Sequence, residues 1–492
     1  MDALIISPGG REKIYQSLGQ NLTAIEPPLW SRIIAGYLLD RQHTLEIIDT
    51  EALEWGEQKT ADYVAKMTPR LVVMVVFGHQ PSASTQMMVS AGAICRAIKT
   101  LQPRQEIIIV GGHVSALPEL TLNQESVDYV CVGEGPETID KLLVCMKQKT
   151  TDYQSVPGLV WKENGLIQRT QRAALVKDLD KEYHGNVWHL LPMEKYRAHN
   201  WQCFDDLSKR QPYASIYTTL GCPYKCVFCC INAPFESSSY RCRQPESVVA
   251  EIDYLFNEFG VTTIKIIDEM FVLKDRHYLK ICELLAEKPY ASQLNIWAYA
   301  RVDTVKPETL SLMRAAGIRW LALGIESGSQ LVRDGADKAL SQQDIKSVVR
   351  EIQQAGIYVI GNYIFGLPDD TAESMLETLN LAKELNCEFA NFYSAMAYPG
   401  SKLFQMASQN AWHLPDAWSG YSQHSYDCLP LPTNTLSSAE VLAFRDQAFH
   451  EYFENPSYLE RVQNLFGIET RRHIEEMSVT RLQRKILQEC LV

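Results

Sequence analysis

The chain has 492 residues, 46% of them hydrophobic and 22% charged, which is the composition of a globular protein with enough length for two or three cores. Acidic residues outnumber basic ones 59 to 47, for a formal charge of −12, and no Lys/Arg-rich run occurs; this argues against a nucleic-acid surface and leaves small molecules as the expected partners. No stretch reaches the ~18 apolar residues of a membrane span, and "MDALIISPGG" lacks the basic start of a signal peptide, so a cytoplasmic location is expected, where the odd total of thirteen cysteines stays reduced and clustered thiols hold metal.

In chain order, residues 1–149 alternate short apolar runs with helical patterns. "ALIIS" (3–7), "LEIID" (45–49), "LVVMVVFG" (71–78), "EIIIVGG" (106–112) and "YVCVGEG" (129–135) read as strands, and "PLWSRIIAGYLLDRQ" (28–42) and "STQMMVSAGAICRAIKTL" (84–101) as helices. That alternation predicts a doubly wound, Rossmann-like parallel sheet, whose ligands bind beyond the carboxyl ends of the strands. The loops there are "SPGG" (7–10), "FGHQPSAS" (77–84), "GGHVSALPE" (111–119) and "VGEGPE" (132–137). They supply His79, Ser82, Ser84, Gly111, Gly112, His113, Ser115, Gly133, Glu134 and Gly135 as candidate ligand contacts, glycines for backbone approach and polar side chains for hydrogen bonds.

Residues 150–210 read as a connector with a small hairpin around Asn164-Gly165. Over 211–404 a second series follows: "SIYTTLG" (215–221), "TIKIIDEMF" (263–271), "NIWAYAR" (295–301), "WLALGIES" (320–327), "IYVIGNYIFG" (357–366) and "EFANFYSAMAYPG" (388–400). Six β/α units predict a partial (β/α)6 version of the TIM-like barrel, with its chemistry on the loops after the strands. Residues 405–492 combine an irregular stretch with helices from Ser438 onward, "SSAEV" carrying a Ser cap and a Glu in the first turn. Tyr421, His424 and Tyr426 of this region are candidate substrate contacts.

The loop after the first barrel strand holds "GCPYKCVFCC" (221–230). Pro223, Tyr224 and Lys225 break any apolar face, so the thiols are not there to fill a core. The C-x3-C-x2-C spacing of Cys222, Cys226 and Cys229 suits three thiolate ligands of an iron–sulfur cluster. Zinc is the alternative, but it favours four ligands and paired C-x2-C motifs, and no second pair follows. Cys230 and Cys242 are weaker candidates for a fourth ligand.

"CPYKCVFC" on such a loop resembles the signature of the radical S-adenosylmethionine (SAM) superfamily. "GIESG" (324–328) resembles its fourth-strand motif, "GNYIFGLPDDT" (361–371) its fifth-strand glycine–proline motif, and "IIDEMF" (266–271) stands at the second-strand motif. The resemblance implies a [4Fe-4S] cluster on Cys222, Cys226 and Cys229, with Phe228 and Gly366 near the adenine of SAM, Glu326 and Ser327 in contact with SAM, and Asp268 and Glu269 as polar contacts. Arg301, at the end of the third barrel strand, is the candidate partner of a buried Glu326, or else a member of a structural ion pair. Residues 1–145, "GGHVSALPE" and "VGEGPET" above all, resemble the cobalamin-binding domain of the class B methyltransferase-like branch. The D-x-H-x-x-G motif that supplies a cobalt ligand in other cobalamin proteins is absent, which leaves His79 and His113 as local alternatives.

By that resemblance the cluster cleaves SAM to a 5′-deoxyadenosyl radical, which takes a hydrogen from an unactivated carbon, and methylcobalamin methylates it; a reductant such as flavodoxin or ferredoxin is implied. The expected function is cobalamin-dependent methylation of a small molecule or natural-product intermediate. An oxidative cyclase or rearrangement enzyme, of the porphyrin-ester cyclase kind, is the alternative. A methylthiotransferase is disfavoured because Cys95, Cys131 and Cys145 sit on predicted helices or a strand. A non-catalytic iron–sulfur or cobalamin sensor is disfavoured by the open iron.

Overall fold

The computed structural model describes residues 1–19, 22–80, 82–338 and 342–489. Five parallel strands, β1 (Ala3–Ser7), β2 (Leu45–Asp49), β3 (Leu71–Val75), β4 (Ile107–Val110) and β5 (Tyr129–Cys131), lie in the order β2-β1-β3-β4-β5. β1, β3 and β4 are buried along their whole length, which explains why they read as unbroken apolar runs. Because β2 and β3 flank β1, the winding reverses between β1 and β3 and opens a crevice at their carboxyl ends.

The hairpin around Asn164-Gly165 forms, both residues at positive φ of 51° and 81°, the backbone a two-residue turn requires. It does not belong to a connector, as the sequence suggested. β6 (Leu159–Glu163) and β7 (Leu166–Arg169) pair antiparallel onto β5 and extend the first sheet to seven strands. Leu159, Val160 and Trp161 bury into its cores, so the hairpin is held by burial rather than by its turn alone.

The second sheet starts with β8 (Tyr213–Ile216). The expected strand 215–221 breaks at Thr218, whose backbone N–H donates to Asp268 Oδ1 at 2.6 Å and whose hydroxyl bonds the same carboxylate; the chain therefore leaves the ladder there. A short antiparallel ribbon follows, β9 (Thr219–Leu220) against β10 (Arg241–Cys242). β11 (Thr263–Ile266), β12 (Asn295–Arg301), β13 (Ile318–Glu326), β14 (Tyr358–Phe365) and β15 (Phe389–Ser394) complete a six-stranded parallel sheet in the order β8-β11-β12-β13-β14-β15. β8 and β15 do not pair, so this is an open barrel.

At the C-terminus the helix Ser438–Phe453 begins with a reciprocal Ser437–Glu440 capping box and packs on β15. One apolar core runs through both sheets and the terminal helices, from Ala3 to Met477. Across the seam between sheets, Arg32 and Arg243 both bind the buried carboxylate of Glu251, at 3.2 and 2.5 Å, while Trp188 Nε1 donates to it at 3.0 Å. Among the described residues no helix is long and apolar enough to cross a membrane.

Candidate active site

The loop bracketed by β9 and β10 carries Cys222, Cys226 and Cys229 into one cavity of about 260 Å³, together with Cys230 and Phe228. Burial pushes the thiols up, Cys222 to about 11, and a bound metal centre would favour their thiolate forms. Among the described residues no three His, Cys or carboxylate side chains close around a single ion. The donor set of three soft sulfurs on one loop fits a cluster, which is wider than an ion. Cys242 lies on β10, half-buried and away from that lining.

Across the cavity stand Glu326 and Lys338, buried and ion-paired. Glu326 ends β13 at φ +64°, where the β13–β14 register shifts. A left-handed backbone costs a glutamate on the order of 1–3 kcal/mol, a cost typical of functional sites. Gly324 makes room for the pair: a Cβ there would overlap both Lys338 Nζ and Glu326 Oε1. Arg301 lines the same cavity, yet it is not the partner of Glu326. It binds Asp303 at 2.9 and 3.1 Å, covers the ring of Tyr224 at 4.0 Å and points Nη1 at Cys226 Sγ, 3.9 Å away. The positive-φ bulge turns Glu326 toward the chain after β13 instead of toward β12.

The other expected SAM-side residues divide. Glu269 faces the cavity, and burial pushes its carboxyl up to about 8. Asp268 is instead engaged by Thr218 and anchors the root of the cysteine loop, touching only a small neighbouring space of about 70 Å³. Ser327 is fully buried, its hydroxyl 3.1 Å from Thr378 Oγ1. Gly366 donates its N–H to Asp370 Oδ2 at 2.9 Å and packs under Val441 of the C-terminal helix.

Of the first-domain residues, His79 and Ser82 reach the cysteine cavity and Gly112 the small space, which also adjoins Trp30 and Phe77. Pro81, between His79 and Ser82, lies outside the described residues. The remainder are engaged within the fold. Ser84 Oγ accepts from His113 N at 2.9 Å and bonds the Val76 carbonyl. Gly111 packs on Val76, Ser115 Oγ accepts from Gly133 N at 3.1 Å, and Gly135 caps the helix Pro136–Gln148. Glu134 pairs with Arg241 of β10 at 2.5 Å. His113 bonds Thr85 at 3.1 Å and meets the ring of Trp418 edge-on, centroids 4.5 Å apart, so it contacts the C-terminal region and lines neither the cysteine cavity nor the small space beside it.

A third and larger chamber, about 320 Å³, runs from the β1/β3 crevice into the barrel. His79, Gln80, Tyr299 and Tyr393 line both it and the cysteine cavity, forming the waist between them. Of the three C-terminal candidates only His424 reaches the chamber. Tyr421 is buried against Met396 and Leu442, and Tyr426 is 40% exposed, bonding Gln488.

Comparison with known proteins agrees with this geometry. The Radical SAM superfamily profile matches residues 216–382 and the B12-binding domain profile matches 16–143. The chain belongs to the B12-binding radical SAM family. It is 27% identical over 423 residues to an uncharacterized methyltransferase of Pyrococcus horikoshii, covering 86% of each chain. It is 26% identical over 470 residues to the anaerobic magnesium-protoporphyrin IX monomethyl ester cyclase of Rubrivivax gelatinosus, covering 94% of this chain and 79% of that one. The fold superposes with TM-score 0.70 at 17% identity on the radical SAM methyltransferase TsrM of Kitasatospora setae, whose structure holds cobalamin and a [4Fe-4S] cluster, over 98% of this chain and 100% of that one.

In this radical SAM enzyme the residues present fit the family's cofactors. Cys222, Cys226 and Cys229 would hold the cluster, and the Glu326–Lys338 pair offers opposite charges to the ammonium and carboxylate of SAM. Neutral groups, Gln80, Gln86, Ser82 and the backbone of Gly112, border the crevice, a donor set matched to the amide-bearing rim of a cobalamin. Sequence reasoning missed Lys338, Gln80 and the chamber residues Glu26, His199 and Lys265. Lys338 carries no sequence signal, since the stretch before it, "LVRDGAD", mixes exposed and buried residues; Glu26, His199 and Lys265 come from three separate segments and carry none either.

Proposed function

We propose that this enzyme methylates a carbon of a small molecule, using SAM bound at the cluster and cobalamin in the β1/β3 crevice. The observation that carries the reading is the continuity of space: the cysteine cavity opens through the waist of His79, Gln80, Tyr299 and Tyr393 onto a chamber bordered by the first domain's switch point. When bound, the cluster with SAM supplies a carbon-centred radical and cobalamin a transferable methyl group. The chain itself holds and orients. Glu326 and Lys338 fix the methionine end of SAM, and Arg301, held by Asp303, sets positive charge beside Cys226. Burial of the surrounding walls keeps water from the reacting atoms. The methyltransferase relative from Pyrococcus horikoshii supports methylation, and twelve described cysteines, all free, support a reducing compartment such as the cytoplasm; reduction of the cluster calls for a low-potential donor of the flavodoxin or ferredoxin kind.

A second reading, oxidative ring closure, is favoured by the cyclase relative that covers 94% of this chain. Anaerobically purified enzyme, loaded with iron, sulfide and cobalamin and incubated with methyl-labelled SAM, a reductant and candidate small-molecule acceptors, separates the two. Methylation predicts 5′-deoxyadenosine together with label in the product. Cyclisation predicts 5′-deoxyadenosine and an unlabelled product that has lost hydrogen. Absence of 5′-deoxyadenosine overturns both.

A further inference from the structure

The large chamber carries chemistry that the cofactors leave unused. Its polar end is built from three parts of the chain: Glu26 and His79 from the first domain, His199 from the connector and Lys265 from β11. Lys265 Nζ donates to Glu26 at 2.8 and 3.1 Å and to the His79 carbonyl at 3.3 Å. An ammonium has three donors, and all three are taken. Both partners are more than nine-tenths buried, Glu26 6% and Lys265 3% exposed.

His199 Nε2 and His79 Nδ1 stand 3.6 and 3.9 Å from the same carboxylate, just beyond direct hydrogen bonding. Burial holds both imidazoles below their ordinary range. The polar end is therefore a carboxylate with unused acceptor capacity, flanked by neutral rings, its charge already balanced by the lysine.

Along the rest of the chamber Arg11 pairs with Glu51, and Arg445 shares Asp446 with Arg484. At the Glu26 end, among the described residues, the cation Lys265 has its donors engaged, so an anionic ligand there meets Glu26. The walls leading from this end to the waist are aromatic. Trp297 and Tyr299 project from one face of β12, and Phe389 and Tyr393, which share a face of β15, line the chamber with them. Flat rings bury well against such walls, and few polar groups then suffice to fix orientation.

Resting on the radical SAM reading, we infer that the methyl acceptor is a flat, uncharged conjugated ring bearing an N–H or O–H, anchored by Glu26 with His79 and His199 and aimed by Tyr299 and Tyr393 toward the cysteine cavity. Phosphorylated, nucleotide-linked and carboxylate-headed acceptors are excluded from this end of the chamber.

The test uses cluster- and cobalamin-loaded enzyme in anaerobic equilibrium dialysis against indole, benzoate and cyclohexanol. Indole binds saturably at one site, and benzoate and cyclohexanol bind at least about tenfold more weakly, the loss expected when a hydrogen bond to a charged group or an aromatic contact is missing. The double variant Glu26→Gln/Lys265→Met, which keeps the net charge, weakens indole by about tenfold. Tyr393→Leu, which leaves the ion pair in place, weakens it as well and stands in should the double variant lose its wild-type iron content. Benzoate or cyclohexanol binding as tightly as indole, or indole binding unchanged in the folded variants, overturns the inference. 5′-Deoxyadenosine formation by the wild-type enzyme tests the underlying reading separately, because the dialysis needs no turnover.

Discussion

Asp49 shows how a single side chain at the end of β2 carries a measurable signature. It is buried, accepts from Glu51 N at 3.0 Å and Tyr196 Oη at 3.1 Å, and burial still lifts its carboxyl from 3.8 to about 7. A raised carboxyl favours the folded state most at low pH, and that contribution is lost as pH rises from about 4 through about 7. Asp49→Asn removes the dependence, so thermal melts of variant and wild type should converge or cross in the variant's favour as pH rises through that window; a gap constant with pH would refute the assignment. At the cysteine loop, Cys226→Ser should abolish cluster iron and 5′-deoxyadenosine formation. Cys230→Ser, its sulfur in the same cavity but outside the triplet spacing, should retain full iron and sulfide per chain.

At the scale of an element, the end of β13 is where strain, a glycine and a missed lysine meet. Gly324→Ala puts a methyl group into the space of the Glu326–Lys338 pair while leaving the strand ladder intact. Overpacking of this kind costs about 1–3 kcal/mol, and the pair should be displaced before the strand unfolds. The expected outcome is SAM binding, read by calorimetry on cluster-loaded enzyme, weakened at least about tenfold with iron content unchanged. Unchanged SAM affinity would remove the pair from the SAM site. The strand itself was legible from its short apolar run, and "GIESG" marked the site. The partner was not: Arg301 looked right because adjacent parallel strands end together, and only the left-handed turn at Glu326 redirects the carboxylate to Lys338.

At the scale of the whole molecule, the geometry of the chamber depends on how the two sheets are held. The Arg32–Glu251–Arg243 cluster joins a helix of the first domain, the helix after β10 and β10's own flank, with both ion pairs only 1% exposed. Glu251→Gln leaves two buried guanidinium groups short of a counter-charge, and breaking a buried pair costs about 3–5 kcal/mol. Urea unfolding should shift by that amount, and cobalamin retained on gel filtration should fall with it. Exchange of the exposed Arg472–Glu469 pair, 62% and 75% exposed, should leave both unchanged. The C-terminal region adds a second tie, because Trp418 meets His113 edge-on and donates to Glu125 at 3.2 Å.

What the sequence by itself determined is whatever depends on residues close together in the chain. The two alternating series, the hairpin turn at Asn164-Gly165, the capping box at Ser437 and the C-x3-C-x2-C loop are all set by periodicity, backbone preference or ligand spacing over a few residues. The strand order of each sheet and the attachment of the hairpin to β5 were not legible there and came from burial in the packed fold. The tertiary structure alone decided the rest. It packed His113 against Trp418, gave Glu326 to Lys338, set Asp268 to anchoring the cysteine loop, and gathered Glu26, His79, His199 and Lys265 from segments up to 239 residues apart. Pairing of buried charges is chosen by which groups the packed elements bring within reach once water is excluded, and that choice leaves no periodic trace along the chain.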